Sequence, residues 1–168
     1  MSLIKIKSES LDLSDSYNFT GTLQQNGANI GGTNTPTFLT YKSGDFGTVS
    51  GGTYTKITGW AEIFDPQNTF ASNRFTPAVA GKYFIYGYVY IKGISGERFF
   101  VALYKNGTKF VESGSMPSAN NDYPQLVCGY VELNTTDYVE LYFVSHGGNS
   151  NAYSSGTNVQ WGGYKIIE

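Results

Sequence analysis

Arg74-Phe75-Thr76-Pro77-Ala78-Val79-Ala80-Gly81-Lys82-Tyr83-Phe84-Ile85-Tyr86-Gly87-Tyr88-Val89-Tyr90-Ile91 decides the fold. It reads as a short strand, a proline-to-glycine corner and a long strand with apolar or aromatic residues on both faces. A sheet with one face in water alternates apolar and polar residues. Here Tyr83, Ile85, Val89 and Ile91 on one parity and Phe84, Tyr86, Tyr88 and Tyr90 on the other both avoid water. One set fills the core of the chain's own fold. The other needs a second layer, such as another subunit.

Two further strands repeat the pattern. In Tyr138-Val139-Glu140-Leu141-Tyr142-Phe143-Val144, the residues Val139, Leu141 and Phe143 point to the core. That leaves Tyr138, Tyr142 and Val144 on the second face, with Glu140 as the only polar break. Leu126, Cys128 and Tyr130 alternate with Val127, Gly129, Val131 and Leu133 in the strand before it. Three strands with a second apolar face exceed what a soluble monomer exposes, and a symmetric oligomer accounts for them. Cys128, the single cysteine, excludes an internal disulfide and is expected as a buried, inert thiol of its strand.

The 168 residues suit one medium domain plus a small appendage. Gly at 21, Tyr at 14 and Phe at 11 residues, with only 14% charged residues, favour turns and strands over helices. A net charge of -2 without a Lys/Arg cluster argues against nucleic-acid binding, which needs several cationic contacts. No apolar run approaches the roughly 20 residues of a membrane span. The start, Met1-Ser2-Leu3-Ile4-Lys5, lacks the continuous apolar stretch of a signal peptide.

Residues 1–34 hold too few apolar side chains to offset their own backbone entropy, and read as a tail or as an intertwined stem ordered by neighbouring copies. Beyond them, strands are expected near 37–42, 53–64 (bent at Gly59), 73–77, 81–91, 98–105, 108–113, 125–134, 137–146 and 158–167. Asn106-Gly107 marks a tight type I′ hairpin, because both residues tolerate positive φ. Polar loops fall at 43–52, 65–72, 114–124 and 147–157. Short strands at this spacing give an all-β, antiparallel β-sandwich of jelly-roll type.

Five motifs in order carry a resemblance: Phe75-Thr76-Pro77, Gly81-Lys82-Tyr83-Phe84-Ile85, Leu103-Tyr104-Lys105-Asn106-Gly107, Gly129-Tyr130-Val131-Glu132-Leu133 and Trp161-Gly162-Gly163-Tyr164. From about Thr37 to Glu168 the chain resembles the complement C1q-like globular head, a relative of the tumour necrosis factor jelly roll. It departs from that pattern at Thr136, where glycine is usual, and at Trp161, where phenylalanine is usual. Phe19-Thr20-Gly21-Thr22-Leu23 and Asn26-Gly27-Ala28-Asn29-Ile30-Gly31-Gly32 resemble stem segments of bacteriophage fibre and appendage proteins. The phrase Asn73 to Tyr83 is similar to heads on such proteins. No collagen-like Gly-x-y repeat precedes the head, so the animal complement role is not expected to transfer.

The resemblance implies a trimeric head at 35–168 on a short N-terminal stem or attachment segment at 1–34. It implies a homotrimer interface drawn from Phe84, Tyr86, Tyr88, Tyr90, Tyr130, Tyr138 and Tyr142. It implies a virion protein on the particle surface that attaches to a host glycan or protein and meets other virion proteins through residues 1–34. The alternatives are a purely structural capsid or fibre decoration and a secreted C1q-like recognition module. Family heads sometimes hold Ca²⁺, for which Asp65 and Asp122 are the candidate carboxylates; no other cofactor is implied.

No catalytic constellation emerges, and the chain is expected not to be an enzyme. His146 is the only histidine, so two-imidazole sites are excluded, and its pairing with Ser145 or Asp137 cannot be read from one loop. The acceptor patterns at Asn18, Asn106 and Asn134 are expected to be accidental. If strands alternate in direction and the C-terminus lies at the stem end, loops 65–72, 92–97, 114–124 and 147–157 gather at the far end. The turns at 78–80, 106–107 and 134–137 then lie at the stem end. Asn120, Asn121, Tyr123, Asn151 and Tyr153 are the candidate ligand contacts of those far loops.

Overall fold

The computed structural model describes residues 24–25, 28–29, 34–44, 47–49, 51–92, 95–120, 122–147, 150–153 and 159–166. Most of the expected stem, Asn18 and Asn121 lie outside them. The chain divides into two units, Met1–Gly32 and Thr33–Glu168. In the first, β1 (Gln24–Gln25) and β2 (Ala28–Asn29) form a small antiparallel pair.

The second unit is a sandwich of two antiparallel sheets, and the described residues contain no helix. Its strands are β3 (Thr37–Lys42), β4 (Gly47–Val49), β5 (Thr55–Lys56), β6 (Trp60–Phe64), β7 (Phe70–Ala71), β8 (Arg74–Phe75) and β9 (Gly81–Lys92). They continue with β10 (Phe99–Lys105), β11 (Thr108–Ser115), β12 (Asp122–Leu133), β13 (Val139–Ser145), β14 (Ser150–Tyr153) and β15 (Gln160–Lys165). One sheet runs β11-β10-β13-β8-β7, with β5 also on β13. The other is centred on β9. β12 pairs along its whole length, while β15 and β14 share its opposite edge, followed by β3 and β4 and then β6 beside β3.

Strand β9 behaves as its sequence demands. Tyr83, Ile85, Val89 and Ile91 are buried in the core, whereas Phe84, Tyr86, Tyr88 and Tyr90 lie half-buried on the outward face. Gly87 sits on the core parity, where a Cβ would come within 2.6 Å of Leu141 Cδ1 from the facing sheet. The core between the sheets is strongly aromatic. Phe38 stacks on Phe75 at 4.5 Å between ring centroids and meets Trp161 edge-on at 5.4 Å. Such burial, at roughly 25 cal/mol per Å² of apolar area, is what holds two sheets together.

The ends of the sandwich differ. Asn106 (φ 51°) and Gly107 (φ 78°) make the expected tight turn between β10 and β11. That turn is latched to the β12–β13 connection. Asp137 accepts hydrogen bonds from the backbone N–H of Asn134 at 2.8 Å and from Asn106 Nδ2 at 2.6 Å, and pairs with Lys105 Nζ at 3.0 Å. The chain begins its sandwich at the same end, where Lys165 N–H donates to the Pro36 carbonyl at 3.0 Å. The opposite, far end joins Gly96 N–H to the Pro117 carbonyl and His146 N–H to the Arg98 carbonyl, both at 2.8 Å.

The Asp137 latch has a pH signature. The Asn134 N–H first, then the Asn106 amide and Lys105, hold the Asp137 pKa down at about 2, against an ordinary 3.8. A carboxyl with a depressed folded pKa contributes stability above its unfolded value and loses it as pH falls through the folded one. The gap in thermal midpoint between the wild type and Asp137→Asn should therefore be constant above pH 5 or so. It should close as pH drops from 3.8 to about 2, as followed by circular dichroism. A gap that persists to the acid limit would remove the carboxylate from this role.

Two expectations about position are corrected. The loop at 65–72 was expected at the far end, but Gln67 Oε1 accepts from Thr37 N–H at 3.2 Å, which places 65–69 beside Pro36 and Lys165. The reason is β7, which forms a hairpin with β8 so short that its turn at Ser72 (φ 53°) and Asn73 (φ 57°) never reaches the far end. The stretches 43–52 and 147–157, expected as loops, contain the paired strands β4 and β14.

Candidate functional site

The outward face of the β9-centred sheet is built by register. Tyr130, Phe84 and Tyr164 stand side by side on β12, β9 and β15, with Phe84 at 5.4 Å from Tyr130 and 5.6 Å from Tyr164. The next row is Cys128, Tyr86, Gly162, Leu39 and Phe64. A Cβ on Gly162 would approach both Leu39 Cδ1 and the Tyr86 hydroxyl at about 3 Å, so the missing side chain makes room for those two neighbours. Burial accordingly pushes the Tyr86 pKa up. A third row sets Leu126, Tyr88, Gln160 and Tyr41 in line, and Tyr88 meets Tyr90 edge-on at 5.6 Å.

None of these rows contains a charged side chain; Lys82 and Glu132 stand only at the margin. Yet Tyr130 is 73% exposed and Leu126 51%. Large aromatic and aliphatic groups without charges, on a flat face of several strands, are what a buried protein–protein contact presents. Leu126 follows from its parity with Tyr130, whereas Leu39, Phe64 and Tyr164 belong to this face although sequence reasoning missed them. Tyr164 was findable: it lies two residues beyond Gly162 on one strand, hence on the same side.

Cys128 also faces outward, exposed, instead of being buried as expected. Val127 takes the core place. Both parities of β12 are apolar, so alternation could not choose between them.

The seven expected interface residues separate. Phe84, Tyr86, Tyr88, Tyr90 and Tyr130 share the face just described. Tyr142 belongs to the other sheet and Tyr138 immediately precedes its strand β13. There the environment is charged. Glu140, nearly buried, pairs with Lys56 Nζ at 2.7 Å and Arg74 Nη2 at 3.0 Å, and accepts from the Tyr142 hydroxyl at 3.1 Å. Arg74 lies over the Tyr138 ring at 4.2 Å, and Tyr104 packs on Tyr142 at 4.2 Å. Burial first, and then the Glu140 carboxylate, push Tyr142 up to about 12. Next to them Tyr54 donates to Glu112, which is also held by Lys109 at 2.6 Å. Each charge of this ladder has an opposite partner, although the buried Arg74 Nε has no hydrogen-bond partner among the described residues.

At the far end the segments 95–97 and 117–120 are tied together. Asn120 Oδ1 accepts from Ser95 N–H at 2.7 Å, and Tyr123 donates to the Ala119 carbonyl at 3.3 Å. Both candidate contacts are thus engaged in shaping the loop. Asn151 and Tyr153 lie in β14, paired with Thr48 and Tyr90, instead of in a loop. Asp65 accepts from Thr69 and from Phe70 N–H within its own loop, while Asp122 pairs in register with Lys92 at the far end. The two residues are therefore at opposite ends. Among the described residues no group of three His, Cys, Asp or Glu is placed to hold a metal. His146 and Asp137 likewise stand beyond opposite ends of β13.

Solved structures decide the architecture. The globular domain of zebrafish complement 1qA matches with a TM-score of 0.59 and 14% identity, over 80% of this chain and 99% of that one. The fold is that of the C1q and tumour necrosis factor heads. The Eiger tumour necrosis factor of S. frugiperda gives 0.60 at 11% identity, over 79% of this chain and 92% of that one. Murine APRIL gives 0.58 at 14%, over 77% and 98%. No family model matches the sequence, and no curated protein matches it significantly. The C1q/TNF-type jelly roll is thus carried on a sequence far from those of these neighbours, and within it the uncharged aromatic face lies on the β9-centred sheet.

Proposed function

We propose that the chain is a non-enzymatic, homotrimeric virion appendage of phage-fibre type. Its jelly-roll head attaches the particle to a host surface, through a glycan or a protein, and residues 1–34 join it to other virion proteins. One observation carries the assembly: an uncharged aromatic face on β12, β9, β15 and β3, with Tyr130 standing 73% in water in the single chain. Three copies turning that face inward remove it from solvent. The opposite sheet, with its satisfied ion pairs, and the far-end loops stay outside. The virion setting is supported by the resemblance of residues 19–32 and 73–83 to fibre and head sequences.

Sedimentation velocity on the full chain should give a trimer at micromolar concentration. A monomer there would overturn the assembly. Attachment is tested separately, by a glycan array and by adsorption of the purified trimer to cells. A trimer that binds neither is a decoration protein, and the attachment reading fails.

A further inference from the structure

An open pocket of about 330 Å³ lies at the far end of the sheet containing β10 and β13, lined by Gly96, Arg98, Phe100 and His146. The fold brings these together from two strands. Phe99 and Ser145 pair in register, so Arg98 and His146 adjoin just beyond the ends of β10 and β13, and Phe100 lies two residues from Arg98 on the same side. The Phe100 ring lies against Gly114, in the space that a Cβ there would need, with ring carbons 2.4 and 2.5 Å from that position. His146 stands perpendicular to it at 5.5 Å.

The charge pattern singles out Arg98. Elsewhere on this sheet Lys56, Arg74, Lys105 and Lys109 each pair with a carboxylate. Arg98, although exposed, has no ion-pair partner among the described residues. The nearby acids are engaged. Glu97 accepts from Ser145 Oγ at 3.3 Å, and Glu112 is tied to Lys109 and Tyr54. An unpaired guanidinium beside an imidazole makes a receptor for an oxyanion, and its planar fork matches a carboxylate.

We infer that this pocket binds the carboxylate of an acidic sugar, with the pyranose ring against Phe100 and the carboxylate on Arg98. A pocket of this volume falls at the lower end of ligand cavities, suited to one monosaccharide, whereas a free inorganic anion would leave most of it unfilled. Gly96 adds no side chain to the lining. The site is on the sheet opposite the proposed assembly face, so a trimer leaves it accessible. The inference rests on the surface-attachment reading and names the ligand class it would take.

Isothermal titration of the full chain with glucuronate and with N-acetylneuraminate tests it, with glucose, methyl glucuronate ester and sodium sulfate as comparisons. At least one of the two acidic sugars should bind. The neutral sugar and the ester should bind about tenfold or more weakly, as should the acidic sugar to Arg98→Gln. Phe100→Leu should weaken the sugar and leave any sulfate binding unchanged. Absence of binding by both acidic sugars, equal binding of the ester or glucose, or an unchanged Arg98→Gln would overturn the inference. So would sulfate displacing the sugar as effectively as the sugar binds. Sedimentation of the same samples separates the two readings. A trimer blind to acidic sugars but adsorbing to cells removes only this pocket. A monomer that binds them removes only the assembly.

Discussion

A Phe84→Glu chain should sediment as a folded monomer at concentrations where the proposed trimer of the unaltered chain forms. Phe84 sits between Tyr130 and Tyr164, at 5.4 and 5.6 Å, in the middle of a row without charge. A carboxylate there would lose its water on assembly and find no cation. Leaving one unpaired charge buried costs about 3–5 kcal/mol, or about three powers of ten in affinity per copy, and a threefold assembly incurs it three times. The single chain should tolerate the change, because Phe84 points away from the core that Tyr83 and Ile85 fill. Tyr142→Lys is the counterpart on the other sheet, beside Glu140, and should leave the trimer intact. A trimeric Phe84→Glu chain, or a monomeric Tyr142→Lys chain, would place the interface elsewhere.

The second large effect is expected inside the sandwich. A methyl group added at Gly87 would stand 2.6 and 2.8 Å from the two Cδ atoms of fully buried Leu141. Overpacking of this kind costs about 1–3 kcal/mol. Leu141→Ala on its own should cost about 2–5 kcal/mol by leaving a void between the sheets. Combined, the two changes should cost less than their sum by about 1 kcal/mol or more, because the new methyl enters the space the leucine vacates. Urea titrations of the four proteins at one fixed protomer concentration measure this directly, with the concentration held because assembly itself adds apparent stability. Strict additivity would mean that the Gly87–Leu141 contact does not set the spacing of the sheets there.

These expectations also mark how far the sequence could be read. β9 was legible because twelve residues with two water-avoiding parities admit few structures, and the Asn106-Gly107 turn because its chemistry is nearly unique. The division between sheets was not. Alternation along β13 says that Tyr142 and Glu140 share a side, but not which sheet the strand joins. Phe84 and Tyr142 therefore looked alike until the pairing of β13 with β10 was known. The Ser72–Asn73 turn escaped because neither residue is glycine, although both take positive φ. Pairing of β14 with β4 and β9 is a tertiary choice of a polar segment with no alternation to betray it. The pocket at Arg98 combines residues 46 and more positions apart, which only the register of β10 on β13 unites.

One hydrogen bond near the chain's own boundary has a practical consequence. Because Lys165 donates to Pro36, the sandwich starts and stops within the width of a strand pair. A segment from 34 to 166 could thus be spliced into a surface loop of an unrelated scaffold with short connectors, its junctions as close together as the arms of a hairpin. It could equally be circularised there and reopened at another turn. In either arrangement the Arg98 end points away from the junction, which makes the head a cassette for displaying altered loops.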